Sequence, residues 1–318
     1  MHRRRILITG ACGFTGRHLS ARLADQQPAA MTGLDSVQRE VLAGGQWTYV
    51  RCDLSDRDLL RSEVHRASPD LVFHLAGLIR ADSPDEFHRV NVEGFRGLLS
   101  ALRQDAKRRG RKIRVVAVGS AAEIGLAGVS CLPVTEDAPC RPDSDYGRSK
   151  WEATRLALAE PADGPLEVIV ARVFNLIGPG QGTGSAPGSF AHQVAAVARG
   201  DADAIRCGNL DARRDFVDVR DAADAYIALA RHGRPGQLYN VCAGRSYRIG
   251  DLLDHLLRAA GSRAPVLIEP SRIRANDVPD IYGDHGKVTR ETGWQPAIPI
   301  HQSLAELLES VSDLRRAA

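Results

Sequence analysis

Lysine is nearly absent from this 318-residue chain: Lys107, Lys112, Lys150 and Lys287 are the only ones, and arginine supplies the rest of its 42 basic residues. Charge of one sign is scarce too. With 39 acidic residues the net charge is only +3, which leaves no electrostatic footprint for nucleic acid or an anionic membrane. The one dense basic run, Lys107–Lys112, reads as a solvated helix end and turn. Cysteine is sparse and scattered (Cys12, Cys52, Cys131, Cys140, Cys207 and Cys242), with no Cys-x-x-Cys pair. That pattern suits a reducing compartment and offers no disulfide framework; neither the cysteines nor the ten histidines have metal-ligand spacing, so no metal site is expected. Long apolar runs are missing as well. Ile6–Ile8 and Leu71–Ile79 fall far short of the ~20 residues of a membrane span. The arginines after Met1 lead into a short apolar run that ends in glycines, which reads as a first strand rather than a signal peptide. The expectation is a soluble, cytoplasmic protein.

What is present is an average globular mix, 43% hydrophobic and 25% charged, enough for about two domains or one large α/β unit. Short β-branched runs at Arg5–Thr9, Ala30–Asp35, Trp47–Cys52, Leu71–Ala76, Ile113–Gly119 and Leu166–Val173 read as strands. Helix-period stretches at Gly16–Asp25, Asp56–Arg66, Glu86–Lys107 and Tyr146–Glu160 separate them. Such alternation predicts an α/β fold, a Rossmann-type doubly wound parallel sheet with helices on both faces. After Val173 the composition changes. Gly178–Gly188 carries five glycines and two prolines and reads as a loop, mobile around a ligand. Helices at Phe190–Arg199, Arg220–Arg231, Gly250–Ala260 and Gln302–Leu314, with a strand at Leu238–Cys242, suggest a smaller, discontinuous C-terminal lobe. The expected division is 1–172, with about 216–243 returning to it, and 173–318 mainly as the substrate lobe.

The first strand runs into Gly10-Ala-Cys-Gly13-Phe14-Thr15-Gly16 and then a helix. Glycines here permit a tight turn and bring backbone close to a pyrophosphate at the helix N-terminus. Asp35 closes the second strand, where a carboxylate accepts hydrogen bonds from adenosine ribose hydroxyls and repels a 2′-phosphate. NAD is therefore expected, with NADP kept open by Arg39. Asp53-Leu54 closes the third strand and Leu75-Ala76-Gly77 the fourth, where the dinucleotide would pass. Asn91 opens a long helix, either as an N-cap or as a hydrogen bond supporting the site.

Tyr146-Gly-Arg-Ser-Lys150 places a phenol and an ammonium on one helix face, with Ser120 upstream at the end of a strand. A lysine cation beside a phenol stabilises phenolate and makes the tyrosine usable as an acid or base near neutral pH. Ser120 can hydrogen-bond the same substrate oxygen. These three are the expected catalytic residues.

Together, Gly10–Gly16, Asp53-Leu54, Leu75-Ala76-Gly77, Asn91, Ser120 and Tyr146-x-x-x-Lys150 resemble the extended short-chain dehydrogenase/reductases. That resemblance implies a Rossmann domain for NAD(P), with Tyr146, Lys150 and Val173 also contacting the cofactor, and a lobe for a nucleotide-diphosphate sugar. The stretches Arg172–Gln181, Gly208–Asp221, Tyr239–Gly244 and Thr292–Pro296 are similar to the GDP-6-deoxy-4-keto-D-mannose reductases. By that likeness Asn175, Arg214, Arg274 and Asp277 line the nucleotide-sugar site with Ser120. Two arginine forks would clamp the diphosphate; the plainer expectation for Arg214 is a salt bridge to Asp215 or Asp218. Ala275 replaces a proline that relatives carry. Where related 4,6-dehydratases carry acidic residues after the serine, this chain has Ala121 and Ala122, with Glu123 next and pointing elsewhere. Ile124 stands where a tyrosine is common and would reshape the pocket wall.

The resemblance implies a nucleotide-sugar 4-ketoreductase; a UDP-sugar 4-epimerase would use the same residues, and a non-catalytic dinucleotide sensor would keep only the fold. Helices 86–107 and 146–160 carry Phe95, Leu98, Leu99 and Leu102, and Trp151, Leu156 and Leu158. Apolar residues beyond one core stripe predict a homodimer through these two helices.

Overall fold

A computed structural model describes residues 4–26, 30–37, 47–126, 132–273 and 277–313. Arg39, Cys131, Arg274 and Ala275 lie outside the described residues. Seven parallel strands form the main sheet, in the order Leu238–Val241, Leu166–Val173, Ile113–Ser120, Leu71–His74, Arg5–Thr9, Ala30–Asp35, Trp47–Arg51. Register is in step across the centre, with Ile8 beside both Gly33 and Phe73, and Ser120 beside Val173. Central strands have both faces covered, which is why they read as continuous apolar runs rather than alternating ones.

One face is covered by helices Phe14–Ala24 and Val219–His232, whose Leu19, Leu23, Ala222, Tyr226 and Leu229 pack on Ile6, Ile8 and Phe73. Helices Arg57–Ala67, Gly94–Arg109 and Asp145–Leu158 cover the other. Phe95, Leu98, Leu99 and Leu102 all sit in that second core, against Leu7, Val72 and Val115. This corrects the argument for a homodimer. The spacing i, i+3, i+4, i+7 is one stripe, spent on the chain's own sheet. Trp151, Leu156 and Leu158 remain half-buried.

The second lobe is built on Arg213–Asp218, which pairs with Asn175–Ile177, Ser246–Arg248 and Asp280–Ile281. Its own core gathers Ile177, Phe190, Phe216, Leu253 and Leu304 from that sheet and from helices Ala186–Ala198, Ile249–Ala259 and Ile300–Asp313. Two expectations shift here. Helix Ala186–Ala198 starts inside the glycine-rich stretch, capped by the Ser185 hydroxyl accepting from the Gly188 amide. The remaining loop is held rather than loose. Arg17 donates to the Gly180 carbonyl at 3.2 Å, Arg80 to that of Gly184 at 3.2 Å, and the His18 ring meets the Pro179 carbonyl at 2.9 Å. No helix of the described residues is long and apolar enough to cross a membrane.

Candidate active site

The sheet order reverses beside the first strand, and in open α/β sheets the crevice at such a point, at the strand C-termini, is where ligands bind. Gly10 leaves the first strand with φ +71°, and a Cβ there would lie 2.7 Å from the Ala76 amide nitrogen. Gly16 has still less room: its Cβ would sit 2.2 Å from the Gly10 carbonyl oxygen. The helix then begins at Phe14 with Gly13 as its N-cap and no side chain capping it. The amides of its first turn, including Thr15 and Gly16, are thus left for an anion. Asp35 accepts from the Cys12 amide at 2.9 Å and the Val37 amide at 3.2 Å, so it braces the turn from the second strand's end. Asp53 is exposed and holds Ser55, while Leu54 is buried below it. Leu75, Ala76 and Gly77 follow the fourth strand. These residues fit a dinucleotide: a glycine turn that a methyl would fill, an open helix N-terminus and a carboxylate at the ribose end.

Asn91 is not a cap. A wide, π-type turn at His88–Glu93 interrupts a helix that starts at Pro84, and Asn91 lies in it, buried. Its Oδ1 accepts from the Leu78 amide at 2.7 Å, and its Nδ2 donates to the Leu78 carbonyl and to Ser149 Oγ at 2.9 Å. Ser149 in turn donates to the Tyr146 carbonyl at 2.8 Å. Asn91 therefore ties the loop after the fourth strand to the helix carrying Tyr146 and Lys150.

That helix is capped by Ser144, whose hydroxyl accepts from the Gly147 amide at 3.0 Å. The Tyr146 phenol lies beside the Ser120 hydroxyl. Burial raises the phenol's pKa, Ser120 pulls it down, and the charge of Glu123 adds to the rise. Lys150 is buried, and its Nζ donates to the Val118 carbonyl at 2.6 Å. Burial lowers its pKa and Glu123 opposes that. The phenol is thus raised rather than lowered in this arrangement, burial being the largest cause, and the Lys150 ammonium is turned to the strand end.

Ser120 ends the fifth strand and caps a single 3-10 turn, its hydroxyl accepting from the Ala122 amide at 3.2 Å. Glu123 faces inward and is fully buried, with Ala121 and Ala122 at the positions that precede it. Ile124 is fully buried as well, packed with Val134, Phe174, Cys242 and Ile281. It is a core residue rather than a pocket wall.

Across the cleft, Val173 ends the sixth strand and Asn175 begins the next, its Nδ2 donating to the Asp215 carbonyl at 2.9 Å. Arg214 corrects the plainer expectation. Its partner is Asp277, at 2.6 Å, and Asn209 donates to the other carboxylate oxygen at 2.9 Å. Asp215 is instead buried, accepting from the amides of Ala243, Gly244 and Gly283, with burial pushing it up to about 6. Asp218 holds Arg220 and Ser303. Asn209 was not legible beforehand; a lone asparagine in a Gly-Asn-Leu turn carries no spacing signal.

Comparison with known proteins agrees with this geometry. Residues 6–242 match the model of the NAD dependent epimerase/dehydratase family. The GDP-6-deoxy-D-mannose reductase of Pseudomonas aeruginosa is 33% identical over 96% of both chains. A UDP-glucose 4-epimerase of Streptomyces lividans is 27% identical, covering 92% of this chain and 91% of its own. Among solved structures, RMD from Pseudomonas aeruginosa complexed with NADPH superimposes with a TM-score of 0.83 at 31% identity, covering 98% of this chain and 99% of that one.

Proposed function

Because this chain belongs to the NAD-dependent epimerase/dehydratase family, we propose that it is a nucleotide-sugar 4-ketoreductase acting on a GDP-6-deoxy-4-keto-hexose. The observation that carries the reading is the meeting of the Ser120 hydroxyl and the Tyr146 phenol, beside a buried Lys150, at the C-terminal end of the sheet. A reduced nicotinamide, when bound, supplies the hydride for the C4 ketone. Tyr146 donates a proton to the oxygen as it gains charge, and Ser120 holds that oxygen in place. Lys150 is the cation beside them and takes the nicotinamide ribose. Arg214 and Asp277, already paired, present a guanidinium for the diphosphate and a carboxylate for ribose hydroxyls. In this reading residues 1–172, with 216–243, serve the dinucleotide and 173–318 mainly the sugar nucleotide.

The inward turn of Glu123, with alanines before it, speaks against a dehydratase. Reductase and epimerase separate by stoichiometry. Incubation with the 4-keto sugar nucleotide and NAD(P)H is expected to consume one cofactor per product. Interconversion of two UDP-sugars with no net cofactor consumption would replace this reading with the epimerase.

Asp35 favours NAD(H) over NADP(H), since its carboxylate repels a 2′-phosphate. Titration of both reduced cofactors is expected to give the tighter constant for NADH; tighter NADPH binding would hand the ribose end to Arg39. We also propose a homodimer through helix Asp145–Leu158 and its neighbour Gly94–Arg109, resting now on Trp151 and Leu156, since Leu158 packs on the chain's own second core. Light scattering is expected to give about twice the 34.4 kDa chain mass, and a monomer at micromolar concentration would refute it.

A further inference from the structure

Beside the catalytic trio lies a buried carboxylate that the reaction above leaves unused. Glu123 Oε1 accepts from the Ser120 amide at 2.7 Å and from the Thr154 hydroxyl at 2.9 Å, and Oε2 faces Arg172 Nε at 3.3 Å. Glu123 is 0% exposed and Arg172 1%. Arg172 has little other compensation: Nη2 meets Cys140 Sγ at 3.2 Å, and Nη1 has no hydrogen-bond partner. The backbone makes room for this arrangement at Gly119, where a Cβ would lie 2.7 Å from Glu123 Oε1 and 3.0 Å from Thr154 Oγ1. Three elements therefore converge on one carboxylate whose first contact is the backbone of a catalytic residue.

Its charge state follows from the donors. Burial raises the pKa of the Glu123 carboxyl, against Arg172, the Ser120 amide, Lys150 and Thr154. The amide and the guanidinium, however, each bring a hydrogen that can only be donated, one to each oxygen. Only the Thr154 hydroxyl could take a proton from the carboxyl, whereas the ionised form accepts from all three donors and balances the buried guanidinium, so it is the form this geometry favours.

We propose that Glu123 is a positioning residue for the proton-donating pair: its carboxylate fixes the Ser120 backbone, and its negative charge is set against Tyr146 and Lys150 together. A carboxylate near a phenol disfavours phenolate, and near an ammonium it favours the cation. Tyr146 thus stays protonated, as reduction requires, to a higher pH than it would beside a neutral residue. The other groups around the pair do not carry this charge. His74, on the fourth strand, is bonded to Thr9 and held neutral, burial and Lys150 pushing it down to about 3. Cys140 and Tyr226 are both raised by burial and stay neutral. Arg172 is matched by Glu123 itself, and on the helix's outer side Asp145 pairs with Arg148 and Glu152 with His88.

The inference rests on Tyr146 as the proton donor, so its first test avoids turnover. Glu123→Gln keeps an acceptor for the Ser120 amide and removes the charge. Because it strands a buried guanidinium, the double variant Glu123→Gln/Arg172→Met is made beside it, replacing an ion pair by a neutral one. Phenolate absorbance is titrated in each protein and in its Tyr146→Phe counterpart, and the difference isolates Tyr146. The expected result is a lower transition in both Glu123 variants than in the parent protein, by about one pH unit in Glu123→Gln and by less in the double variant, which also removes the Arg172 charge. The alkaline limb of kcat should move the same way, with KM within a few fold. An unchanged transition in a double variant whose circular dichroism matches the parent would overturn the proposal. A shifted transition in a protein that turns over no sugar nucleotide would support it and overturn the reductase reading instead.

Discussion

Replacing Tyr146 by phenylalanine is expected to lower turnover by about 10²–10⁴-fold and to leave dinucleotide affinity within a few fold. In the proposed reaction the phenol is the proton donor to an oxygen held by Ser120. Nothing else about the helix depends on that hydroxyl. Its start is set by Ser144, its flank by the Asn91–Ser149 bonds, and the ring itself leans on Phe87 with centroids 6.0 Å apart. Phenylalanine keeps the ring and that contact, so the loss should fall on kcat. Steady-state rates together with a fluorescence titration of the reduced cofactor separate the two quantities. Near-normal turnover would remove Tyr146 from the chemistry.

Gly16→Ala is expected to weaken dinucleotide binding by about 5- to 150-fold. The added methyl would lie 2.2 Å from the Gly10 carbonyl oxygen and 2.7 Å from the Ala11 backbone, and neither is a side chain that can swing aside. Overpacking of this kind typically costs ~1–3 kcal/mol, and every 1.4 kcal/mol is about tenfold in affinity when the strain falls on the bound conformation. Gly13→Ala is the internal control. Its methyl would be 3.1 Å from the same oxygen, so a few tenths of an ångström of movement suffices. Equal affinity for the Gly16 variant and the parent would mean that the turn does not hold the pyrophosphate.

The legible parts of the molecule were those whose physics is local. All seven strands of the sheet appear within a residue or two of their expected ends, because buried parallel strands must be apolar on both faces. The second lobe hid its strands. Asn175–Ile177, Ile205–Cys207 and Ser246–Arg248 have three residues each, too few for a period, and Arg213–Asp218 opens on two arginines and an aspartate. That last strand also explains the misplaced ion pair. Successive side chains on a strand point to opposite faces, so Asp215 could not meet Arg214, and the partner came from Asp277, far along the chain. Asn91 shows a different limit. A helix written at 3.6 residues per turn puts it at a start, whereas the wide turn at His88–Glu93 turns it toward Leu78 and Ser149. Glu123 was visible as an acid displaced from the dehydratase positions, but Thr154 and Arg172, which give it meaning, belong to other elements.

The strand Leu238–Val241 has a consequence for how the chain is made. It hydrogen-bonds to Leu166–Val173, so the edge of the large sheet stays open until about half of the second lobe has left the ribosome. A nascent chain that ends near residue 200 would carry Leu166–Val173 with unpaired amides along one side, an apolar ledge able to recruit another nascent chain. Every neighbour in this sheet is parallel, and no hairpin is available to close it early. Synthesis paused or truncated in the second lobe should therefore yield aggregates rather than a free dinucleotide-binding fragment. Appending residues 219–241 to such a fragment by a short linker should restore its solubility.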